Sequence, residues 1–577
     1  MRLPRTAWLV VSVVILVAVA LAGWLTVRAV QARHRVETAQ RWAQQVEQAL
    51  LAGDPGTARR RLVDVQRELD SARHATSGPA WWLAAHLPYA GRTPRVIRGV
   101  VDALDRTADD VLPALVRAGT LFDPVKVHLI GATMPLNGLN AGREPLAEAL
   151  RGLVGVRREL AALPGSGVIP SVAAARATVL DRVDRLTASV ATAALIPDML
   201  GAQGPRRYLL ALQNNAEARG TGGVMGVWGI LTADQGRLSL ARMGSIEQLP
   251  DAGGSQPRLG AGFAALYGSD PGLWRNANES PDFPYAARLW LTMWRRHSPL
   301  PLDGVIATDP VAMSYLLRVT GPVRMRDGTR VSATNVVSLV ERRAYERFQV
   351  RAERKAWLVE LARAVFGLLG HDAVDTHALV SALGRGVREH RLLLYSAHPA
   401  EQRRLATTPI GGLLPVTEKP FVSMVVNNAS GNKLDYYLHR RLDYVLGPCR
   451  GGMRRSTVTV ELANDVPPGR LPSYVRTRRD AGSSAMTGSN RLLVYFFLTS
   501  GAGLQSASVD GRPISVVAGS ERGHLALELP LDFSRGQTRR VVLNLREPAH
   551  TGRPAVWVQP LVVPQMTRVH ETSCSGG

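Results

Sequence analysis

The most constraining feature of this chain lies at its N-terminus. From Thr6 to Val27 the sequence carries no charged residue and is rich in Val, Ile, Leu and Ala. About 20 apolar residues at 1.5 Å rise are needed to cross roughly 30 Å of hydrocarbon. Helix is the form open to such a segment, because lipid offers backbone N–H and C=O no partner. Trp8 and Trp24 fall near its ends, where indole rings favour the interface. The expectation is a single-pass anchor within residues 1–35, placing the protein at the cell membrane. The alternative is a cleaved signal peptide, for which Ala18-Val19-Ala20 offers small residues, but such apolar regions are shorter, roughly 7–15 residues. Arg2 and Arg5 precede the run while Arg28, Arg33 and Arg35 follow it, so flanking charge does not set orientation. No other segment is long and apolar enough to span.

A chain of 577 residues exceeds one hydrophobic core, and its 46% hydrophobic content suits folded domains. The formal charge is +23; of the 70 basic residues only Lys126, Lys355, Lys419 and Lys433 are lysine, leaving 66 arginines. The arginines are scattered and no basic-aromatic module appears, which argues against nucleic acid. A basic body beside a membrane favours anionic head groups or envelope polymers instead. Cys449 and Cys574 are too few for a disulfide scaffold or a zinc site. In an oxidising space they would pair; otherwise they are two unrelated thiols.

Residues 36–203 read as a helical bundle or stalk. VETAQRWAQQVEQALLAG and TARRRLVDVQRELDSARHA carry apolar positions at helical spacing, broken by Gly53-Asp54-Pro55-Gly56. The texture changes at Gly204. Over 204–415, short apolar runs such as RRYLLALQNN and DGVIATD alternate with helical segments, the pattern of an α/β domain. Over 416–577, runs such as FVSMVVNN, STVTVELAND and RLLVYFFLTS predict an antiparallel sandwich. The expected class is therefore multidomain α+β: anchor and helical bundle, central α/β domain, C-terminal β-sandwich.

Catalytic signatures are missing: no P-loop, GxSxG elbow, HExxH or CxxC is present. No cofactor is expected, and no residue cluster argues for a divalent metal. Three stretches stand out. In QNNAEARGTGG, Asn214, Asn215, Glu217 and Arg219 crowd a strand end, and Gly220, Gly222 and Gly223 permit close backbone approach. The stretch reads either as an anion site or as a tight strand-to-strand turn. In ERRAYERFQVRAERKAW, Arg343, Arg347, Arg351 and Arg354 recur at a spacing of three or four, one broad face if helical. That face is either solvated, with Glu341, Glu346 and Glu353 balancing it, or a clamp for phosphate or pyrophosphate. In NNASGNKLDYYLHRRLDY, Asn427, Asn428, Asn432, Lys433 and Asp435 form a second polar cluster, read as a turn with an exposed strand or as part of a site.

NNAEARGTGG, DGVIATDPVAMSYLLRVTGPV and NNASGNKLDYYLHRRLDY resemble the signatures of the bacterial, actinobacterial-type domain-of-unknown-function family 4012, over about 200–450. The order of strand, DQGRLSL hairpin, helix, DGVIATDPVAMSYLLRVTGPV and Arg-rich helix is similar, more distantly, to the LytR–CpsA–Psr envelope family. That resemblance implies an anchored extracytoplasmic α/β protein acting on polyprenyl pyrophosphate-linked glycopolymer. It would give Arg219, Arg343, Arg351 and Arg354 the role of pyrophosphate arginines. Thr221-Gly222-Gly223 and Glu247-Gln248 depart from that family's acidic and Arg-Asp positions, so magnesium-dependent transfer is not implied. The expected function is a cell-envelope protein holding an anionic or pyrophosphate-lipid ligand through arginines. A divergent glycopolymer phosphotransferase and a non-enzymatic assembly factor are the alternatives.

Overall fold

The computed structural model describes residues 5–51, 54–121, 133–134, 136–251, 259–268, 272–368, 374–469, 471–480, 488–549 and 553–572. It divides into two compact units, one drawn from Met1–His128 and Pro135–Pro197, the other from Leu129–Met134 and Asp198–Gly577.

The first unit is helical. Its opening helix runs unbroken from Arg5 to Leu51, through the expected boundary between anchor and bundle. Most side chains of its first fourteen residues lie outside the description. Among the described side chains of this helix, Leu16 and Val19 are 71% and 67% exposed, and Trp24, Val27 and Val30 are exposed too. Among the described residues, no helix is long and apolar enough to cross a membrane. The next helix, Pro55–Thr76, starts where Asp54 accepts from Thr57 N–H at 2.9 Å and Pro55 supplies a preset first turn. It buries Ala58, Leu62, Val65, Leu69 and Ala72, a stripe of three- and four-residue steps. Charged side chains of this unit pair at its surface, as in Arg157–Asp184 at 2.6 Å.

The second unit begins with a five-stranded mixed sheet. Its strands are β1 (Arg206–Arg219), β2 (Gly222–Asp234), β3 (Arg237–Ser245) and β4 (Gly304–Thr308), with β5 (Val323–Arg324) and β6 (Arg330–Val331) forming a separate hairpin, and then β7 (Leu392–Ser396). The order is β3-β2-β1-β4-β7, with β1 and β4 parallel and the other pairs antiparallel. One face packs on the Phe283–His297 helix through Phe283, Trp290 and Trp294; the other packs on the Pro310–Thr320 and Arg351–Gly367 helices. β1 is buried along nearly its whole length, as a central strand covered on both faces must be.

Two further sheets follow in the same unit. One has the order β13-β12-β16-β10-β9-β18 and the other β14-β15-β11-β8-β17. These are β8 (Phe421–Asn428), β9 (Leu438–Arg450), β10 (Met453–Asn464), β11 (Asn490–Leu498), β12 (Gly503–Val509), β13 (Arg512–Pro513), β14 (Val517–Glu521), β15 (His524–Phe533), β16 (Thr538–Pro548), β17 (Ala555–Val558) and β18 (Met566–Glu571). Alternating residues of both sheets, among them Val426, Leu442, Val458, Phe496, Leu529 and Leu543, share one core. A buried polar seam ties this sandwich to the α/β segment. Glu521 accepts from Ser280 Oγ at 2.5 Å and Tyr267 OH at 2.7 Å, and Arg522 Nε lies 3.2 Å from Asp282. Burial, with Arg522 opposing it, raises the Asp282 carboxyl to about 7. Cys449 on β9 is disulfide-bonded; Cys574 lies outside the described residues.

Candidate functional site

The site grows from an irregularity in β1. Asn214 lies opposite Val224 and Ala218 opposite Gly223, so Asn215, Ala216 and Glu217 bulge out of the ladder. Bulged amides need new partners. Glu341 supplies them: its two oxygens accept from Asn215 N–H at 3.1 Å and Ala216 N–H at 2.9 Å. Glu341 sits on a π-turn, Leu339–Arg343, the kind of helical irregularity that recurs at functional sites. Its burial lifts the carboxyl to about 8 against the pull of the two amides. Beyond the bulge, Asp435 accepts from Ala218 N–H at 2.8 Å, Asn428 Nδ2 at 2.8 Å and Asn490 Nδ2 at 2.7 Å.

The bulge turns Glu217 into a cleft of about 840 Å³, counting the space at its mouth. Its walls come from β1, β2, the Pro310–Thr320 and Arg351–Gly367 helices, and the 431–479 stretch. Five cations line it, Arg275, Arg351, Lys355, Lys433 and Arg479, against three carboxylates, Glu217, Glu247 and Asp309. Asp309 is already spent on Arg391 at 2.7 Å and on capping Ala312 N–H. Glu247 is shared between Arg351 at 2.6 Å and Lys355 at 3.6 Å. Lys433 pairs with Glu217. Burial opposes ionisation of Glu217, yet Lys433 and Arg219 override it and bring its pKa to about 2. Burial, and then Lys433, lower Lys355. Among the described residues, Arg275 and Arg479 have no ion-pair partner.

Arg354, 2% exposed, adjoins this cleft. Its guanidinium lies 5.0 Å from the Tyr345 ring and 4.3 Å from the Tyr474 ring, and Nη1 donates to Phe348 O. Its Nε and Nη2 have no acceptor, nor does Asn214 Oδ1 in the cleft wall have a donor. Buried donors left this way are costly, of order 1–3 kcal/mol each. Through Met313 the cleft adjoins a nearly all-apolar pocket of about 590 Å³, again counting the space at its mouth, between the sheet and its helices and lined by Leu210, Ile306, Leu316, Phe366 and Leu383. Through Glu247 and Lys355 it adjoins an outer groove rimmed by Arg324, Arg326 and Arg363. Polarity thus rises from pocket to cleft to groove.

The sequence-predicted residues divide sharply. Of the Arg-rich run, Arg351 lines the cleft and Arg354 backs it. Arg347 pairs with Asp327 at 2.9 Å, and Arg343 is exposed without lining it. The four do not share one helical face: the chain leaves helix after Arg347 and restarts at Arg351. Phe348, held by Arg354 and packed on Trp357 at 5.6 Å, fixes the break. Arg219 is a joint, donating to the carbonyls of Arg275, Ala218 and Asn428. The glycines serve close packing of the chain on itself. A Cβ at Gly220 would stand 2.3 Å from Glu279 O and one at Gly223 2.1 Å from Asn214 O, while Gly222 takes φ +132°. Asn215 donates to Pro560 O, Asn427 to Glu279 O, and Asn428 and Asn432 bond each other. Of these two polar stretches, Asn214, Glu217 and Lys433 reach the cleft.

Lys355, Arg275, Arg479, Tyr345 and Tyr474 were not singled out from the sequence. One signal was available: two of only four lysines in an arginine-saturated chain line this cleft. No curated protein and no solved structure matches the chain. Residues 203–345, which carry the β1 bulge and the Glu341 π-turn, match a family model, and over them the chain is similar to the family described as "protein of unknown function (DUF4012)".

Proposed function

We propose that this is a membrane-anchored, extracytoplasmic envelope protein whose cleft holds the phosphate or pyrophosphate of a lipid-linked ligand. One observation carries the reading: a cleft with more cations than carboxylates, backed by an arginine with two unsatisfied N–H groups, adjoins an apolar pocket. Guanidinium forks match phosphate oxygens, and an apolar pocket beside them suits a prenyl chain. The charge-free run 6–27 and the exposed Leu16, Val19 and Val27 support the anchor, which would hold the cleft near its ligand. The resemblance in element order to the LytR–CpsA–Psr family supports an envelope setting. The test is mass spectrometry of lipids co-purifying with the full chain from membranes. Wild type is expected to carry prenyl phosphates or pyrophosphates, and Arg351→Ala with Arg479→Ala to lose them. Equal loading of the two proteins would overturn the reading, and a wild type without such lipids would favour an assembly role.

A further inference from the structure

Resting on that reading, we propose that Tyr474 is the nucleophile of the cleft: its phenolate attacks the bound phosphorus and carries the phosphoryl group covalently. No Ser, Thr, Cys or His lines the cleft among the described residues, so the usual nucleophiles are missing. The three carboxylates are each held in ion pairs. Tyr345 accepts from Asn214 Nδ2 at 2.9 Å, and burial holds its phenol well above the ordinary value.

Tyr474 differs on every count. Its ring lies parallel to Tyr345 at 5.8 Å, and three guanidiniums lie over the ring, Arg354 at 4.3 Å, Arg479 at 5.3 Å and Arg351 at 5.7 Å from its centre. Lys355 and Lys433 line the same cleft. A phenol in that company is stabilised as an oxyanion. Burial pushes its pKa up, but Lys433, Lys355 and Arg351 outweigh burial and lower it. Phe348–Val350 and the turn at Gly431 bring the two cation-bearing segments to this one ring.

The step balances without redox chemistry. The phenol ionises to water at the cleft mouth. The phenolate oxygen forms a bond to phosphorus, and the bridging P–O bond breaks with its electron pair on the lipid-side phosphate, which leaves as the monophosphate. Arg351, Arg479 and Lys355 meet the charge on the non-bridging oxygens. The acceptor's hydroxyl oxygen then bonds to phosphorus, the bond from phosphorus to the tyrosyl oxygen breaks with its electron pair on that oxygen, and the hydroxyl proton passes to the released phenolate or to water at the cleft mouth.

The test uses the full chain in detergent micelles with geranylgeranyl pyrophosphate as probe. Wild type is expected to release geranylgeranyl monophosphate and to gain the mass of a phosphoryl group on the peptide holding Tyr474. Tyr474→Phe, which keeps the ring, is expected to lose the adduct and slow release at least about 100-fold, while binding the probe within about twofold. Phenolate absorbance, wild type minus variant, is expected to titrate below the ordinary tyrosine value of about 10. Release by the variant at the wild-type rate, an adduct elsewhere, or a bound probe that yields no adduct would overturn the assignment and leave the ligand reading standing. A probe that does not bind wild type would overturn both.

Discussion

Arg219 and Arg354 are both buried arginines of the same unit, 5% and 2% exposed, yet they live in opposite surroundings. Arg219 donates to three backbone carbonyls and welds the β1–β2 tip to β8. Arg354 has one carbonyl, two aromatic faces and two N–H groups with nothing to accept them. A saturated buried cation is part of the frame. An unsaturated one, beside further cations, marks where the molecule is completed by something else. The same contrast separates Asp435, with three donors on its carboxylate, from Glu247, stretched between two cations at the cleft.

The largest effect is expected on the saturated side. Asp435→Ala orphans Ala218 N–H and two asparagine amides, and should cost about 4 kcal/mol in urea unfolding of the full chain. Arg219→Met should follow at about 3 kcal/mol, with probe affinity in the folded protein unchanged. Were Arg219→Met instead to abolish binding at full stability, the contrast would be wrong.

The seam at Asp282 gives a pH test of comparable size. Its folded pKa of about 7 lies above the unfolded value of 3.8, so the native state holds a proton that the unfolded chain releases. Its contribution is complete below the unfolded value and is lost as pH rises to 7, by at most about 4 kcal/mol. Asp282→Asn should flatten that part of the stability profile; an unchanged slope would mean that Asp282 is ionised in the fold.

On the unsaturated side the order of effects reverses. Arg351→Ala with Arg479→Ala should shift stability by no more than about 0.5 kcal/mol while weakening geranylgeranyl pyrophosphate binding by about 10- to 100-fold. Lys355→Met is the subtlest case. Removing a buried amine beside Lys433 should leave stability level or raise it by about 1 kcal/mol, with roughly tenfold weaker binding.

The division into helices, a mixed α/β segment and a β-rich end was legible because each rests on local periodicity, from the Leu62–Leu69 stripe to the alternation along β9 and β10. The cleft was legible only in fragments. Arg351 was visible because it lies in a dense cationic run, but the run alone does not separate it from Arg343 and Arg347, since the break at Phe348 arises from tertiary packing on Trp357. Arg275, Lys355 and the Tyr474–Arg479 stretch come from three separated segments and meet only through the β1 bulge and the turn at Gly431. The glycines of GTGG allow two readings from sequence, an anion site or a tight strand-to-strand turn, and the space they leave is filled by the chain's own carbonyls, as in the second.

The most direct measurement is calorimetric titration of the detergent-solubilised full chain with geranylgeranyl pyrophosphate, geranylgeraniol and inorganic pyrophosphate. The pyrophosphate lipid should bind more tightly than either half, and Arg351→Ala with Arg479→Ala should lose the gain from the charged end while keeping wild-type stability. Equal affinity of wild type and variant for the pyrophosphate lipid, or no binding at all, would contradict an anion-seeking cleft.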